Sequence, residues 1–255
     1  MSIRMRRLRD PTMVRPESRR YAVIALCVFA TAIASVGLTR YLPSPMSTFA
    51  WKLCWVVLCF AGIRRANPGR PGSALGQLGL RSSPVLGISV ALLLSIPMLA
   101  TFAITSTPNP DLEAVPLLMT GIVSPVSEEL LFRGYLFLQL YRRAGWSFAA
   151  AVGTTAGVFG LAHVTGLAGR LSAMQVLGEV GMVAAGGALF AWLLIRWRDN
   201  LWVPIGLHSF MNLWCYGFAC DERPGDLSTN AGRLFTVAAA LVATAVWRRR
   251  GITAA

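Results

Sequence analysis

Apolar runs of nearly 20 residues recur along the whole 255-residue chain, and they limit its possible folds more than any motif does. Each run is long enough to cross the ~30 Å hydrocarbon core of a bilayer as an α-helix. Hydrophobic residues make up 55% of the chain and charged residues only 14%, whereas an ordinary soluble domain is about 25% charged. A water-soluble fold of this length could not bury so much apolar surface. The sequence therefore predicts an all-α fold, a polytopic membrane bundle.

Turn and breaker residues divide the apolar sequence into eight predicted transmembrane helices. The predicted spans are 21–39, 46–63, 84–104, 113–141, 147–167, 172–195, 201–219 and 232–247. We interpret residues 1–20 as a basic cytoplasmic leader and 21–250 as a single transmembrane domain, whose core motifs lie in 113–219. Residues 251–255 form a short tail.

The basic residues indicate how the helices are oriented. The net charge is +13, and Lys52 is the only lysine. Arginine-rich segments alternate with segments that hold one arginine or none, which predicts eight spans in a cell membrane with both termini in the cytoplasm. We therefore expect the arginines to contact anionic membrane lipid, and we expect no nucleic acid partner. The rich segments hold seven arginines in the leader, then Arg64, Arg65, Arg70 and Arg81, then Arg142 and Arg143, then Arg196 and Arg198, then Arg248, Arg249 and Arg250. The poor segments hold Arg40, none in 105–112, Arg170 and Arg223.

The cysteines offer no sign of a metal site or of redox chemistry. All five lie inside or at the edge of apolar segments, and no CxxC pair or zinc-like spacing is present. We interpret them as inert packing residues. They are Cys27, Cys54, Cys59, Cys215 and Cys220.

Ionisable residues inside the spans mark the candidate site. Each costs at least ~2.5–3.5 kcal/mol at the centre of a bilayer, so each needs a reason to be there. Both histidines of the chain lie in predicted spans, together with three glutamates and Arg133. One of the glutamates, Glu179, has no partner within one helical turn. We predict that it pairs with a polar group on another helix.

The first cluster, Glu128-Glu129 with Arg133, lies in the fourth span. Glu129 and Arg133 are four residues apart, so they share a helix face and can form an ion pair. Glu128 is rotated by about 100° from Glu129. One carboxylate is then neutralised by Arg133 while the other points elsewhere, which separates a structural carboxylate from a reactive one. The alternative is that Glu129 and Arg133 form a structural salt bridge that only holds helices together, which leaves Glu128 without a role.

Two further pairs lie in the fifth and seventh spans. Phe159 and His163 are four apart on one face, and so are His208 and Asn212. The imidazole of His208 and the carboxamide of Asn212 can both donate hydrogen bonds, and two donors aimed at one point suit a tetrahedral oxyanion. Hydrogen bonding between helices is the alternative for either pair.

The three motifs EExxxR at 128–133, FxxxH at 159–163 and HxxxN at 208–212 resemble the CPBP family, which contains the CAAX proteases and the bacteriocin-processing or Abi-like membrane proteins. The resemblance covers 113–219. It implies an eight-helix bundle with an intramembrane polar cavity. It also implies that Glu128 and His163 activate a water molecule and that His208 and Asn212 hold the oxyanion. Glu129 and Arg133 carry over as supporting residues, and Phe159 belongs to the second motif.

The resemblance implies an intramembrane endopeptidase of the glutamate or metalloprotease type. The glutamate type needs no cofactor. In the metalloprotease type Glu128, His163 and His208 would bind a divalent metal such as zinc, with one open position. The substrate would be a peptide or protein, either prenylated or a leader peptide. Two other functions stay open: a non-catalytic immunity or binding protein, and a proton-coupled transporter that uses the glutamates and histidines as a relay.

Overall fold

The computed structural model describes residues 16–39, 41–67, 74–164, 171–220 and 226–249. The regular secondary structure in these ranges is helical. The helices are α1 (Pro16–Thr39), α2 (Met46–Ala66), α3 (Ala74–Gln77), α4 (Pro84–Thr105), α5 (Ala114–Arg143), α6 (Phe148–Ala162), α7 (Ala173–Arg196), α8 (Trp202–Gly217) and α9 (Leu227–Arg249). Most of the predicted leader and the whole predicted tail lie outside the described residues.

Six of the eight predicted spans are helices long and apolar enough to cross a membrane: α1, α2, α4, α5, α7 and α9. The chain is thus a multi-pass helical membrane protein. The fifth and seventh predicted spans are shorter than expected, because α6 has 15 residues and α8 has 16. At ~1.5 Å per residue they are about 22 and 24 Å long, less than the hydrocarbon thickness.

Helix ends and loops collect at two opposite ends of the bundle. At one end the backbone N–H of Leu201 donates to the carbonyl of Gly79 at 2.9 Å, and Arg142 lies 2.9 Å from Asp199. At the other end Asn109 donates through its backbone N–H to the carbonyl of Gly217 at 2.8 Å. We call the first end, formed by 64–67, 78–83, 142–147 and 197–201, the arginine-rich end. The second, formed by 41–45, 105–113 and 218–220, is the arginine-poor end.

Gly153 and Gly157 have the GxxxG spacing that often marks a close contact between helices, but α6 makes its close contact at another glycine. A Cβ atom at either of these would meet nothing within 4 Å among the described residues. A Cβ at Gly160, in contrast, would lie 2.7 Å from the carbonyl oxygen of Val180, so α6 and α7 touch there through their backbones.

Two polar details of the outer helices bear on the earlier expectations. Glu179 of α7 accepts a hydrogen bond from Arg233 of α9 at 3.1 Å, which confirms the predicted pairing with another helix. The interpretation of all five cysteines as packing residues was wrong for two of them. Cys215 and Cys220 form a disulfide beside the arginine-poor end, whereas the other three are free thiols.

Candidate active site

Helix α5 carries the two glutamates at its centre, where its hydrogen bonding changes type. The segment Ser124–Glu129 is α-helical, and π-helical turns precede it at Met119–Val123 and follow it at Leu130–Phe137. Turns of this kind are rare and are frequent at functional sites. From Leu130 to Leu140 every side chain is buried, so the glutamates lie directly above the tightest part of the core.

Glu129 is the anchor of the site. Its Oε1 atom accepts hydrogen bonds from Arg133 at 2.9 Å and from Nδ1 of His208 at 2.8 Å. Glu129 and Arg133 are 0 and 1% exposed, so the predicted ion pair is present and fully buried. Charge-assisted hydrogen bonds of this kind are short and strong, and here they join α5 to α8.

Glu128 points to a different set of partners, as the 100° rotation predicts. Its Oε1 atom pairs with the ammonium group of Lys52, and its Oε2 atom lies 4.0 Å from Nε2 of His208. Its side chain is 15% exposed, whereas that of Glu129 is 0% exposed. The reachable carboxylate is therefore the one with the looser contact to a histidine.

Lys52 is the site residue that sequence reasoning missed. It is 1% exposed in α2 and its Nζ atom lies 4.2 and 4.9 Å from the ring centroids of Trp51 and Trp55. Such cation–π contacts stabilise an ammonium group that has been removed from water. Two signals were available: Lys52 is the only lysine, and it lies inside the predicted span 46–63. On sequence alone we noted it only as the single lysine and gave it no role.

His163 lies at the C-terminal end of α6, as its capping residue. Its Nδ1 atom is 2.8 Å from the carbonyl oxygen of Phe159. A carbonyl only accepts, so Nδ1 carries the proton and the opposite nitrogen, Nε2, holds a lone pair in the neutral ring.

The aromatic ring of Phe159 lies next to His163, His208 and Arg133. Its ring centroid lies 4.9 Å from that of His163 and 6.2 Å from that of His208, and the guanidinium of Arg133 lies 4.2 Å from it. One apolar ring therefore lies beside the buried cation and both imidazoles.

His208 and Asn212 present their polar groups from α8. The ring of His208 stacks on Phe190 of α7, with centroids 5.4 Å apart. Asn212 donates one N–H through Nδ2 to the backbone carbonyl of Thr120 on α5 at 3.0 Å. A carboxamide has two N–H donors, so one remains for another acceptor. The structure thus brings all four predicted catalytic residues and their three supporting residues to the contact region of α5, α6 and α8.

The donor set does not fit a divalent metal as arranged. Within the described residues no three His, Cys, Asp or Glu side chains converge in a metal-binding group. The ammonium of Lys52 pairs with one oxygen of Glu128, and an ammonium repels a second cation at the same carboxylate. The metal set of Glu128, His163 and His208 is therefore not assembled, and we derive no step through a metal.

A pocket of about 370 Å³ lies beside this cluster, between the first turns of α2 and α5. Its lining includes Thr48, one turn before Lys52, and Ser124, one turn before Glu128. Thr120, whose carbonyl holds Asn212, also lines it. The pocket is therefore next to the cluster and opens near the arginine-poor end.

Comparison with known proteins finds similarity to one family in the same segment. Residues 110–214 match the family model described as "Type II CAAX prenyl endopeptidase Rce1-like". A protein of Bacillus subtilis (strain 168) named "Putative membrane peptidase YdiL" is 32% identical over 103 residues, which are 40% of this chain and 36% of that protein. The chain thus spans about a third of the length of this curated relative. No solved structure matches the chain. The matched segment holds all the site residues on α5, α6 and α8, and over that segment the chain is similar to the Rce1-like type II CAAX prenyl endopeptidases.

Proposed function

We propose that the protein is an intramembrane endopeptidase in which Glu128 activates water for attack on a peptide bond. The contrast between the two adjacent glutamates carries this proposal. Glu129 is fully buried and holds Arg133 and His208, whereas Glu128 is partly exposed and faces an imidazole without bonding to it. A general base needs to be accessible to water and near its working partners, which suits Glu128 and not Glu129.

The proposed reaction starts with a water molecule between Glu128 and His163. Glu128 takes one proton, and the lone pair on Nε2 of His163 accepts a hydrogen bond that orients the attacking oxygen. The oxygen adds to the peptide carbonyl and forms a tetrahedral intermediate. Glu128 then passes its proton to the leaving nitrogen as the C–N bond breaks, which leaves one carboxyl and one amino terminus. No serine or cysteine takes part, so no acyl-enzyme is formed.

His208 and Asn212 are the proposed donors to the oxyanion. The Nδ1–H group of His208 donates a hydrogen bond to Glu129. A second N–H donor, at Nε2, is present only when the ring is an imidazolium. The carboxylates of Glu129 and Glu128 lie 2.8 and 4.0 Å away and stabilise that cation. The second N–H of Asn212 completes the pair. Loss of one such donor typically lowers kcat by about 10²–10³-fold.

Lys52 holds the proposed base in its ionised form before water arrives. Its ammonium neutralises Glu128 inside the bundle, where an unpaired carboxylate would be costly to bury. We assign it as a positioning residue, because it acts on the substrate only through Glu128.

The test compares cleavage products of the wild type and the Glu128→Gln variant. Each is reconstituted in liposomes with membranes from a host lacking the gene, and new peptide termini are identified by mass spectrometry. We expect new termini with the wild type and none with Glu128→Gln, at equal protein abundance. Glu17→Gln, at an exposed glutamate in the first turn of α1, is the matched control and should cleave normally. Equal cleavage by Glu128→Gln would disprove its role as base, and no new termini with the wild type would favour a binding protein.

A further inference from the structure

We infer that the site receives its substrate from the non-cytoplasmic side of the membrane, so that the substrate is an extracytoplasmic segment of a membrane-anchored polypeptide. This inference rests on the proposed endopeptidase function. It identifies the side of the membrane on which the scissile bond lies, and therefore the class of chain that can present one. Three independent observations support it: the position of the pocket, the distribution of arginines, and the disulfide.

The pocket gives access from the arginine-poor end. Thr48 and Ser124 line it one helical turn before Lys52 and Glu128, so the lining ends one turn short of the ion pair. Beyond Glu128, toward the arginine-rich end, the side chains of α5 from 130 to 140 are all buried. A peptide that approaches along α5 can therefore reach Glu128 from the arginine-poor end, whereas close packing obstructs the opposite direction.

The two ends differ sharply in charge. Among the described residues the loops of the arginine-poor end contain no arginine or lysine, and they contain Asp111 and Glu113. The described arginines of the other end are Arg64, Arg65, Arg81, Arg142, Arg143 and Arg198, and the adjoining helix turns add Arg19, Arg20 and Arg196. Loops rich in arginine stay in the cytoplasm during membrane insertion, which assigns the arginine-poor end to the outside.

The disulfide points to the same side without reference to charge. Cys215 lies in the last turn of α8 and Cys220 just after it, where Gly217 contacts the loop at Asn109. Disulfides persist in oxidising compartments outside the cytoplasm and are rare within it. A disulfide at the arginine-poor end therefore agrees with an outward orientation of the pocket.

The lining of the pocket limits the kind of peptide that fits. It presents the hydroxyl-bearing side chains of Ser44, Thr48, Thr120 and Ser124 and the carboxylate of Glu113, and no basic side chain. Such a lining suits an extended segment with neutral or basic side chains, whose backbone groups need hydrogen-bond partners. A prenylated carboxyl terminus in the cytoplasm would lie on the opposite side of the membrane.

The test measures which end of the bundle faces outward. Cys27, Cys54 and Cys59 are replaced by alanine, which leaves the disulfide as the only other cysteine pair, and one cysteine is then introduced. Thr48→Cys reports on the pocket, and Ser82→Cys, similarly half-buried at the arginine-rich end, is its matched control. A membrane-impermeant maleimide is applied to intact spheroplasts and to lysed ones. We expect Thr48→Cys to react in both and Ser82→Cys only after lysis. Reaction of Ser82→Cys in intact spheroplasts, or of Thr48→Cys only after lysis, would overturn the inference.

A second measurement connects the orientation to catalysis. External labelling of Ser124→Cys, half-buried on the pocket wall, should reduce cleavage by at least 10-fold, whereas labelling of Ser82→Cys after lysis should leave it unchanged. Normal cleavage after complete labelling of Ser124→Cys would rule out this pocket as the substrate entrance. Because the labelling pattern does not depend on turnover, it is read equally well in Glu128→Gln. A failure of the proposed base therefore remains distinct from a failure of the proposed side.

Discussion

Lys52 on α2 places its ammonium group on the carboxylate of Glu128 on α5, and 76 positions of sequence separate the two residues. The ammonium of Lys52 also makes cation–π contacts with Trp51 and Trp55, and Glu128 faces His208. The pair lies one helical turn beyond the lining residues Thr48 and Ser124 of the pocket, where the proposed attack on the substrate takes place. Its consequences for stability and for activity can be separated by mutation.

Replacement of Lys52 by methionine should destabilise the protein and abolish most of its activity. The change keeps the length of the side chain but leaves Glu128 without its counter-charge, and loss of one partner of a buried ion pair typically costs about 3–5 kcal/mol. In the double variant Lys52→Met/Glu128→Gln no unpaired carboxylate remains, so its melting temperature should exceed that of Lys52→Met alone. Activity should not return. Thermal unfolding in detergent and the cleavage assay measure the two effects.

A merely structural lysine would give a different pattern in the same experiment. The conservative variant Lys52→Arg keeps the charge, so it should restore stability and recover part of kcat with little change in KM. If Lys52→Met cleaves at the wild-type rate once it is folded, Lys52 does not position the base.

Arg133→Ala should sharply lower the amount of folded protein in the membrane. Arg133 is buried and is the only arginine that contacts Glu129 among the described residues. Its removal leaves the buried carboxylate of Glu129 without its counter-charge, which typically costs about 3–5 kcal/mol. Arg142→Ala is the control. It breaks the ion pair with Asp199, in which the side chains of Arg142 and Asp199 are 46 and 34% exposed. Exposed ion pairs contribute about 1 kcal/mol or less to stability. Equal abundance of the two variants would show that the buried pair is dispensable.

Gly187→Ala should disturb the site although the residue lies on α7 and bears no functional group. The added Cβ would lie 2.8 Å from a guanidinium nitrogen of Arg133 and 3.3 Å from the ring of Phe159, so the network must shift. Overpacking of a tight interior typically costs about 1–3 kcal/mol. Gly186→Ala, one position earlier, adds a methyl group that meets nothing within 4 Å of described residues and should be tolerated. Similar melting temperatures and activities for both variants would contradict the close fit.

A strong chelator should leave the cleavage rate of the purified protein unchanged. The three candidate ligands are not gathered into a metal-binding group in the described structure, and Lys52 pairs with the glutamate among them. The measurement is the initial rate before and after chelation, followed by addition of zinc. Loss of activity on chelation with recovery on addition of zinc would show that Glu128, His163 and His208 rearrange into a metal site.

The sequence predicted the ion pair of Glu129 and Arg133 because helix geometry alone brings residues four apart together. It could not predict that Glu129 also binds His208, or that Asn212 binds Thr120, since these contacts depend on how α5 and α8 pack. The lengths of α6 and α8 were overestimated because apolar composition continues past the last helical turn into the connecting segments. Lys52 was missed because its partner lies on a distant helix, although its charge inside a span was visible.

The unequal helix lengths have a consequence for the membrane around the protein. Helix α5 has 30 residues, whereas α6 and α8, which carry His163, His208 and Asn212, are only about half as long. A bilayer that matches the long helices is too thick for the short ones, and such hydrophobic mismatch is relieved by local thinning at a cost of fractions of a kcal/mol per ångström. Lipid headgroups and their hydration water would then lie closer to the ends of α6 and α8 than a bilayer of average thickness allows. The acyl-chain length of the host lipid thereby becomes a determinant of how readily water reaches Glu128.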